Sequence, residues 1–326
     1  MEREIVDPVD MCLPDGTLNP KAVGWSRQPL HRTNLTGWGR AKRWEYWCVQ
    51  TPDWALSVTV SHIDYLALHQ VWFVDFGSGE QIDTSAIVPF AREPKLPPVC
   101  GDEAHAKTKS LSIDITPVPG GMRLVAHTDR VDADIRVTRP EGHESMAVVI
   151  PWSDKRFQYT VKDNTLPATG SVTVDGRALD LPAGQTWAVL DHGRGKWPYD
   201  TTWNWGSGSG EAAGHVIGLQ FGGKWTEGTG MTENALCIDG RVTKIGEELD
   251  WSYDRSDWLA PWTVRGEDVD VTFTPRFERA ARTNAAVIFT EVHQCFGTWS
   301  GTVRADGVGY SVDGLQGFAE EAQMRW

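Results

Sequence analysis

Short runs in which polar and apolar residues alternate are the feature that most limits how this chain can fold. Residues 56–62 (LSVTVSH) and 268–273 (DVDVTF) follow a period of two, which is the pattern of a strand with one buried and one wetter face. Asp–Gly pairs flanked by β-forming residues predict tight hairpins between such strands. Four such pairs occur, at 175–176, 239–240, 306–307 and 313–314.

The pattern predicts an all-β fold with few short helices. Closely spaced strands joined by glycine-rich turns are typical of an antiparallel sandwich or barrel, and the 33 glycines and 18 prolines agree with that. A helical period is nearly absent. The best candidate for a short helix is the tail, residues 317–326 (GFAEEAQMRW).

The length of 326 residues is about twice that of a usual domain. Turn-forming residues cluster at 164–182, just before a tryptophan-rich stretch. We therefore expect an N-terminal β domain over residues 1–175. A C-terminal β domain over residues 176–326 would then carry most of the candidate site residues.

The charge and the cysteines limit the partners and the compartment. A formal net charge of −13 disfavours nucleic acid and anionic membranes as partners. No apolar run approaches the length of a membrane span, and residues 1–10 lack the pattern of a secretory signal. Five scattered cysteines without a Cys-x-x-Cys pair predict a reduced, cytoplasmic setting.

Eight of the seventeen tryptophans fall between Trp187 and Trp262, beside the densest group of polar residues. An indole buries a large surface but still needs a partner for its N–H. We therefore expect an aromatic-walled pocket with charged groups pointing inward. The nine histidines show no metal-binding spacing, so neither a metal nor another cofactor is expected.

Three residues in this region are candidate catalytic groups: Asp191, His192 and Glu233. Asp191 and His192 follow an apolar strand, but adjacent strand residues point to opposite faces, so the two need not meet. Glu233 shares a predicted strand face with small apolar residues, where burial would raise its pKa and suit it to donate a proton. The alternatives are a structural turn for the first two and a buried ion pair with Lys224 or Arg194 for Glu233.

A second set of residues is expected to bind the substrate. Trp203 and Trp205 would share one strand face, with Asn204 opposite, and two aligned indoles can stack on a ring or stabilise a cation. The alternative is ordinary core packing, but a neighbouring Gly/Ser-rich run, expected to be a mobile loop, favours a ligand. The predicted binding set is Arg194, Trp197, Tyr199, Trp203, Asn204, Trp205, Lys224, Trp225, Glu227 and Asn234.

The first half of the chain offers a possible matching wall. It contains residues 43–47 (RWEYW) and the pair His62 and Asp64. For His62, which shares a strand face with apolar residues, we favour an ordinary core histidine.

Several long motifs resemble one family. They are DGTLNPKAVGWSRQPLHRTNL (15–35), KRWEYWCV (42–49), DHGRGKWPYDTTWNWGSGSG (191–210) and GGKWTEGTGMTENALCIDG (222–240). They resemble the domain of unknown function 2804 family, which is more distantly similar to carotenoid 1,2-hydratase-like and AttH-like proteins. The resemblance implies two lipocalin-like β-barrel halves. Some members of the wider group hydrate isolated double bonds and others shape pericyclic cyclisations, but no catalytic residue can be matched position by position.

Three functions are consistent with these features. The first is a cofactor-independent hydratase, lyase or isomerase acting on a hydrophobic, isoprenoid-like small molecule by acid–base chemistry. The second is a glycoside hydrolase that uses tryptophan platforms and two of the carboxylates Asp191, Glu227, Glu233 and Asp254. The third is a lipocalin-like carrier without catalysis, whose carboxylates would all be held in ion pairs. Each requires a small-molecule partner, and the sequence predicts no oligomeric state.

Overall fold

Strands make up most of the described chain, and nearly all of them pair antiparallel, which confirms the predicted all-β class. The structure is a computed structural model that describes residues 2–91, 94–285 and 288–325. The described chain divides into two compact units, Arg3–Trp197 and the residues from Pro198 onwards with Glu2. No helix among the described residues is long and apolar enough to cross a membrane.

The described residues of the Arg3–Trp197 unit form fifteen strands and a single 3-10 turn, Pro20–Ala22. The strands are Val9–Asp10 (β1), Trp25–Ser26 (β2), His31–Arg32 (β3), Ala41–Gln50 (β4), Trp54–His62 (β5), Leu66–Asp75 (β6), Gln81–Pro89 (β7), Ala104–Lys107 (β8), Leu111–Val118 (β9), Gly121–Thr128 (β10), Val131–Thr138 (β11), Met146–Pro151 (β12), Phe157–Val174 (β13), Arg177–Leu179 (β14) and Trp187–Lys196 (β15). Thirteen of them form one curled sheet, whose main path runs in the order β7-β6-β5-β4-β15-β13-β11-β10-β9-β8. Off this path, β12 and β14 pair with β13, and β2 pairs with β12. Alternate residues on these strands pack into one hydrophobic core.

The part of the second unit that the structure describes forms ten strands. They are Asp200–Ala212 (β16), His215–Gly223 (β17), Asn234–Ile238 (β18), Arg241–Ile245 (β19), Asp250–Ser252 (β20), Trp262–Arg265 (β21), Val269–Ala285 (β22), Ile288–Ala305 (β23), Val308–Ser311 (β24) and Leu315–Arg325 (β25). All ten form a curled sheet, whose main path runs in the order β19-β18-β17-β16-β25-β23-β22-β21-β20, with β24 paired to β23. This unit has a core of its own.

Three of the predicted Asp–Gly turns close hairpins. They join β13 to β14, β18 to β19 and β23 to β24. In each turn both residues have positive φ; Asp239, for example, has φ 49° and Gly240 φ 80°. Positive φ at both central residues is the geometry that follows the right-handed twist of the two strands.

The predicted helix at 317–326 is wrong. Residues Leu315–Arg325 form β25, which pairs with β16 on one side and β23 on the other, and Trp326 lies outside the described residues. Phe318 and Ala322 are buried, and the two ladders satisfy the backbone of the strand. Tertiary pairing therefore outweighs the helix-forming composition of this segment.

The predicted domain boundary after residue 175 falls in the turn between β13 and β14. Here β15 pairs with both β13 and β4, so this strand belongs to the first sheet. The two compact units are accordingly divided after Trp197.

Candidate functional site

Strand register brings charged side chains together on the inner face of the first sheet, the face that carries its hydrophobic core. Leu190 lies opposite both Trp47 and Asp163. Two residues further along the same strand, His192 lies opposite Glu45. Because residues two apart share a face, Glu45 and His192 project from the same inner face as Trp47 and Leu190, beside the hydrophobic core.

A cavity of about 340 Å³ opens on this inner face. That volume is within the range of small-molecule sites, which is roughly 300–1,000 Å³. Most of the wall is apolar and includes Ile115, Met122, Val137, Val161, Leu166 and Leu190. Its polar side chains include Glu45, Cys100, Asp102, Arg139, Ser145 and Asp163.

Glu45 is the carboxylate that faces this cavity with one oxygen anchored and the other open. His192 Nδ1 lies 2.6 Å from Glu45 Oε1, and Arg194 Nη2 donates to the same oxygen at 2.6 Å. No group among the described residues donates to Glu45 Oε2. The carboxylate is therefore held rigidly, while Oε2 stays available to a bound molecule.

The electrostatics of this cluster keep Glu45 ionised and His192 neutral. Burial alone would raise the pKa of Glu45, but His192 and Arg194 outweigh it, so that pKa lies below its ordinary value. Burial and the charge of Arg194 hold the pKa of His192 below its ordinary value. Since a carboxylate can only accept, the proton of neutral His192 is on Nδ1. Its Nε2 is buried without a partner among the described residues.

A second carboxylate in the cavity wall is fully engaged. Asp163 Oδ1 lies 2.9 Å from His143 Nε2, and Asp163 Oδ2 accepts from Arg139. Both oxygens of Asp163 are thus occupied, unlike those of Glu45. Cys100 also lines the cavity, and burial raises the pKa of its thiol well above the ordinary value, so the thiol stays protonated.

Arg194, a predicted binding residue, is buried on the inner face and holds the surrounding backbone. Besides Glu45, it donates to the carbonyls of Trp44 at 2.6 Å, Gly193 at 2.8 Å and Pro97 at 3.0 Å. The bond to Pro97 fixes the segment that leads to Cys100 in the cavity wall. Arg194 thus orders the site around Glu45.

Asp191 and Trp197, both in the predicted set, lie on the opposite face of the same sheet. Asp191 accepts from Trp44 Nε1 and from Thr160 Oγ1, each at 3.0 Å, and pairs with Lys162. Trp197 donates to Gln158 at 2.6 Å. Asp191 and His192 are therefore not brought together, as the strand geometry predicted.

The other predicted residues belong to the second unit and divide over both faces of its sheet. Trp203 donates to Glu320 at 2.9 Å, and Trp205 donates to Gln220 at 3.0 Å. Asn204 points to the inner face, where it donates to the Tyr253 hydroxyl at 3.0 Å. Trp203 and Trp205 thus share a face opposite Asn204.

The Gly/Ser-rich run after Trp205 is part of β16, so the prediction of a mobile loop there is wrong. A Cβ at Gly206 or Gly208 would stand within 3.1 Å of the Trp299 ring. The glycines therefore make room for a core tryptophan.

Lys224 is paired on the inner face of the second sheet. It forms an ion pair with Glu321 at 2.5 Å and donates to the Tyr253 hydroxyl at 2.7 Å. Arg255 Nε donates to Glu321 at 3.0 Å. Lys224 therefore pairs with Glu321, and not with Glu233 as the alternative from the sequence would have it.

Glu233 is buried and accepts from Trp225 Nε1 at 2.6 Å. Asn234 is buried as well; it accepts from the backbone N–H of Gly222 at 2.7 Å and donates to the Glu247 carbonyl at 2.9 Å. Tyr199 and Glu227 are exposed. The second unit therefore holds these residues in two separate groups. Glu233 bonds to Trp225 in one, and in the other Tyr253 links Lys224 to Asn204.

The sequence did not single out Glu45 as a site residue, although it lies in the 43–47 stretch considered as a possible wall. It also missed Asp163, Arg139 and His143. The period-two alternation of Arg43, Glu45 and Trp47 could have shown that they share a face with buried residues. No local signal links Glu45 to His192, because their strands are far apart in the sequence.

A family model described as "Domain of unknown function (DUF2804)" matches residues 2–326. The chain belongs to this family. The resemblance predicted from the sequence motifs is thus confirmed over residues 2–326. None of the curated proteins compared with this sequence matches it.

Solved structures share the fold at low sequence identity. CghA in complex with Sch210972 has 11% identity and a TM-score of 0.56, over 88% of this chain and 89% of that chain. Kievitone hydratase from Nectria haematococca has 9% identity and a TM-score of 0.51, over 88% and 89%. A putative AttH from Nitrosomonas europaea has 12% identity and a TM-score of 0.50, over 86% and 92%.

Proposed function

We propose that this protein is a cofactor-independent acid–base enzyme of hydratase, lyase or isomerase type, with an apolar small molecule bound in the cavity of the Arg3–Trp197 unit. The observation that carries the proposal is Glu45 in the wall of that cavity, with Oε1 anchored and Oε2 open. One of the similar folds is named a hydratase, which is consistent with this reaction class.

In this proposal Glu45 accepts a proton from the bound molecule. Its ionised carboxylate sits among apolar side chains, where its interaction with a reacting group is stronger than in water. His192 and Arg194 are positioning residues, because both hold Glu45 Oε1. Asp163 has no free oxygen and is assigned a structural role.

The proposal is tested by turnover in an extract of apolar metabolites. The purified full chain is incubated with the extract, and mass spectrometry follows compounds that gain water, lose water or change retention at constant mass. We expect conversion by the wild type and its loss in Glu45→Gln, since a positioned proton acceptor contributes about a hundred- to ten-thousand-fold.

Two further variants complete the test. Glu141 is exposed in the same unit, and Glu141→Gln should retain full turnover. Glu233→Gln tests the proton donor predicted from the sequence. Retained turnover in Glu45→Gln with loss in Glu233→Gln would overturn the assignment to Glu45 and favour Glu233.

A non-catalytic carrier is the second candidate, and one observation favours it: the cavity carboxylates Glu45 and Asp163 are both held by cations. A carrier would co-purify with an unchanged apolar ligand, visible by native mass spectrometry. Neither wild type nor Glu45→Gln would then alter any compound in the extract.

A further inference from the structure

Two residues that line the cavity carry polar groups without partners. The indole Nε1 of Trp47 and the hydroxyl of Ser145 are buried, and neither has a hydrogen-bond partner among the described residues. Both residues line the cavity. A buried polar group without a partner costs about 1–3 kcal/mol, so such groups are uncommon unless something satisfies them.

The chemistry of these groups specifies what would satisfy them. An indole N–H can only donate, so Trp47 requires an acceptor such as an oxygen. The Ser145 hydroxyl can donate or accept. Trp47 is two residues from Glu45 on the same strand face, so the donor and the proposed proton acceptor belong to one wall.

The charges of the cavity favour a neutral molecule over an anion. Arg139 is paired with Asp163, and Arg194 with Glu45. Asp102 adds a further carboxylate to the lining. An anionic ligand would therefore meet three carboxylates and no uncommitted cation among the described lining residues.

We propose that this cavity selects neutral, carbonyl-bearing apolar molecules, with the Trp47 indole N–H donating to the carbonyl oxygen and Ser145 as a second polar contact. The inference rests on the proposed function in placing the substrate in this cavity, and it names the substrate class.

In such a compound Glu45 removes a proton from the carbon next to the carbonyl. The C–H electron pair forms the C=C bond of an enolate, and the carbonyl π pair moves onto the oxygen at Trp47. If the compound carries a β,γ double bond, return of the proton to the γ-carbon moves that double bond into conjugation and completes an isomerisation. If it carries a β-hydroxyl, the hydroxyl leaves with that proton as water and completes an elimination.

Three probes of nearly equal size test this selection: 2-acetylnaphthalene, 2-ethylnaphthalene and 2-naphthoate. Their affinities for the purified full chain are measured by equilibrium dialysis. We expect the ketone to bind about twenty-five-fold more tightly than the hydrocarbon, because it gains two hydrogen bonds worth about five-fold each. We expect the carboxylate to bind more weakly than the ketone.

Variants then assign the preference to the two groups. Trp47→Phe and Ser145→Ala should each lower ketone affinity by about five-fold and leave hydrocarbon affinity nearly unchanged. Trp54→Phe is the matched control, since Trp54 is buried in the same unit but donates to the Asp180 carbonyl at 2.9 Å. This control should retain the wild-type preference.

Any one of four results would overturn the inference. The ketone and the hydrocarbon bind equally, the carboxylate binds more tightly than the ketone, no probe binds, or neither variant changes the ketone preference. Failure of the proposed function has a separate signature. In that case the ketone preference persists and depends on Trp47, but turnover does not depend on Glu45.

Discussion

At the scale of single residues, Glu45 has a structural role that a stability measurement can separate from its proposed chemistry. Arg194 is 1% exposed, and Glu45 is the carboxylate that pairs with it. Glu45→Ala leaves a buried guanidinium without its counter-charge, which typically costs about 3–5 kcal/mol. We expect a clear fall in the free energy of unfolding, measured by urea denaturation.

Glu45→Gln should cost less, because the amide oxygen can still accept from Arg194. Glu141→Ala, in an exposed position, should leave unfolding unchanged. Equal and small effects of the Ala and Gln variants would show that the backbone carbonyls around Arg194 suffice to hold it.

Part of the geometry around His192 can be predicted from the sequence. The period of two correctly places Asp191 and His192 on opposite faces. It cannot supply the partner of His192, since Glu45 comes from a strand whose pairing with β15 is non-local. Glu233 and Trp225 are close in sequence, and their hydrogen bond lies within the range of local reasoning.

At the scale of elements, strands β25 and β16 approach so closely at Gly317 that a side chain there would clash. A Cβ at Gly317 would lie 1.9 Å from the Ser207 carbonyl oxygen, so β25 and β16 could not pair as they do. We expect Gly317→Ala to lower the free energy of unfolding by about 1–3 kcal/mol or more, as overpacking does.

Gly309 is the matched control, because it also lies in a strand but a Cβ there meets no atom within 4 Å. Gly309→Ala should be nearly neutral by the same urea measurement. Equal effects of the two variants would contradict the steric argument.

The helix prediction for residues 317–326 is wrong because it rests on local composition alone, which favours a helix. The pairing of β25 with β16 and β23, which decides its structure, is not visible in that composition.

At the scale of the whole molecule, the all-β class followed from alternation and turn chemistry, and the family resemblance was confirmed. The division after Trp197 could not be predicted, because it depends on β15 joining β4 and β13. The buried histidines were equally out of reach. His69 is fully buried, and both of its ring nitrogens lack partners among the described residues.

These histidines make stability depend on pH. Burial lowers the pKa of His31 and of His69 to about 4. The ordinary value near 6.5 applies when the chain is unfolded, so between the two values the unfolded state binds more protons. Stability is therefore fully present above about pH 6.5 and is lost as the pH falls towards 4, by up to about 3 kcal/mol for each histidine.

His69→Leu tests this dependence directly, since leucine keeps the site apolar and removes its titration. We expect the melting temperature of the wild type to fall between pH 7 and pH 4.5 and that of His69→Leu to fall less over the same range. His127, whose side chain is 53% exposed, gives the control His127→Leu, which should keep the wild-type slope. If the melting temperatures of the wild type and His69→Leu fall in parallel with pH, His69 takes up its proton as readily in the folded chain as in the unfolded one. The acid sensitivity then comes from other groups.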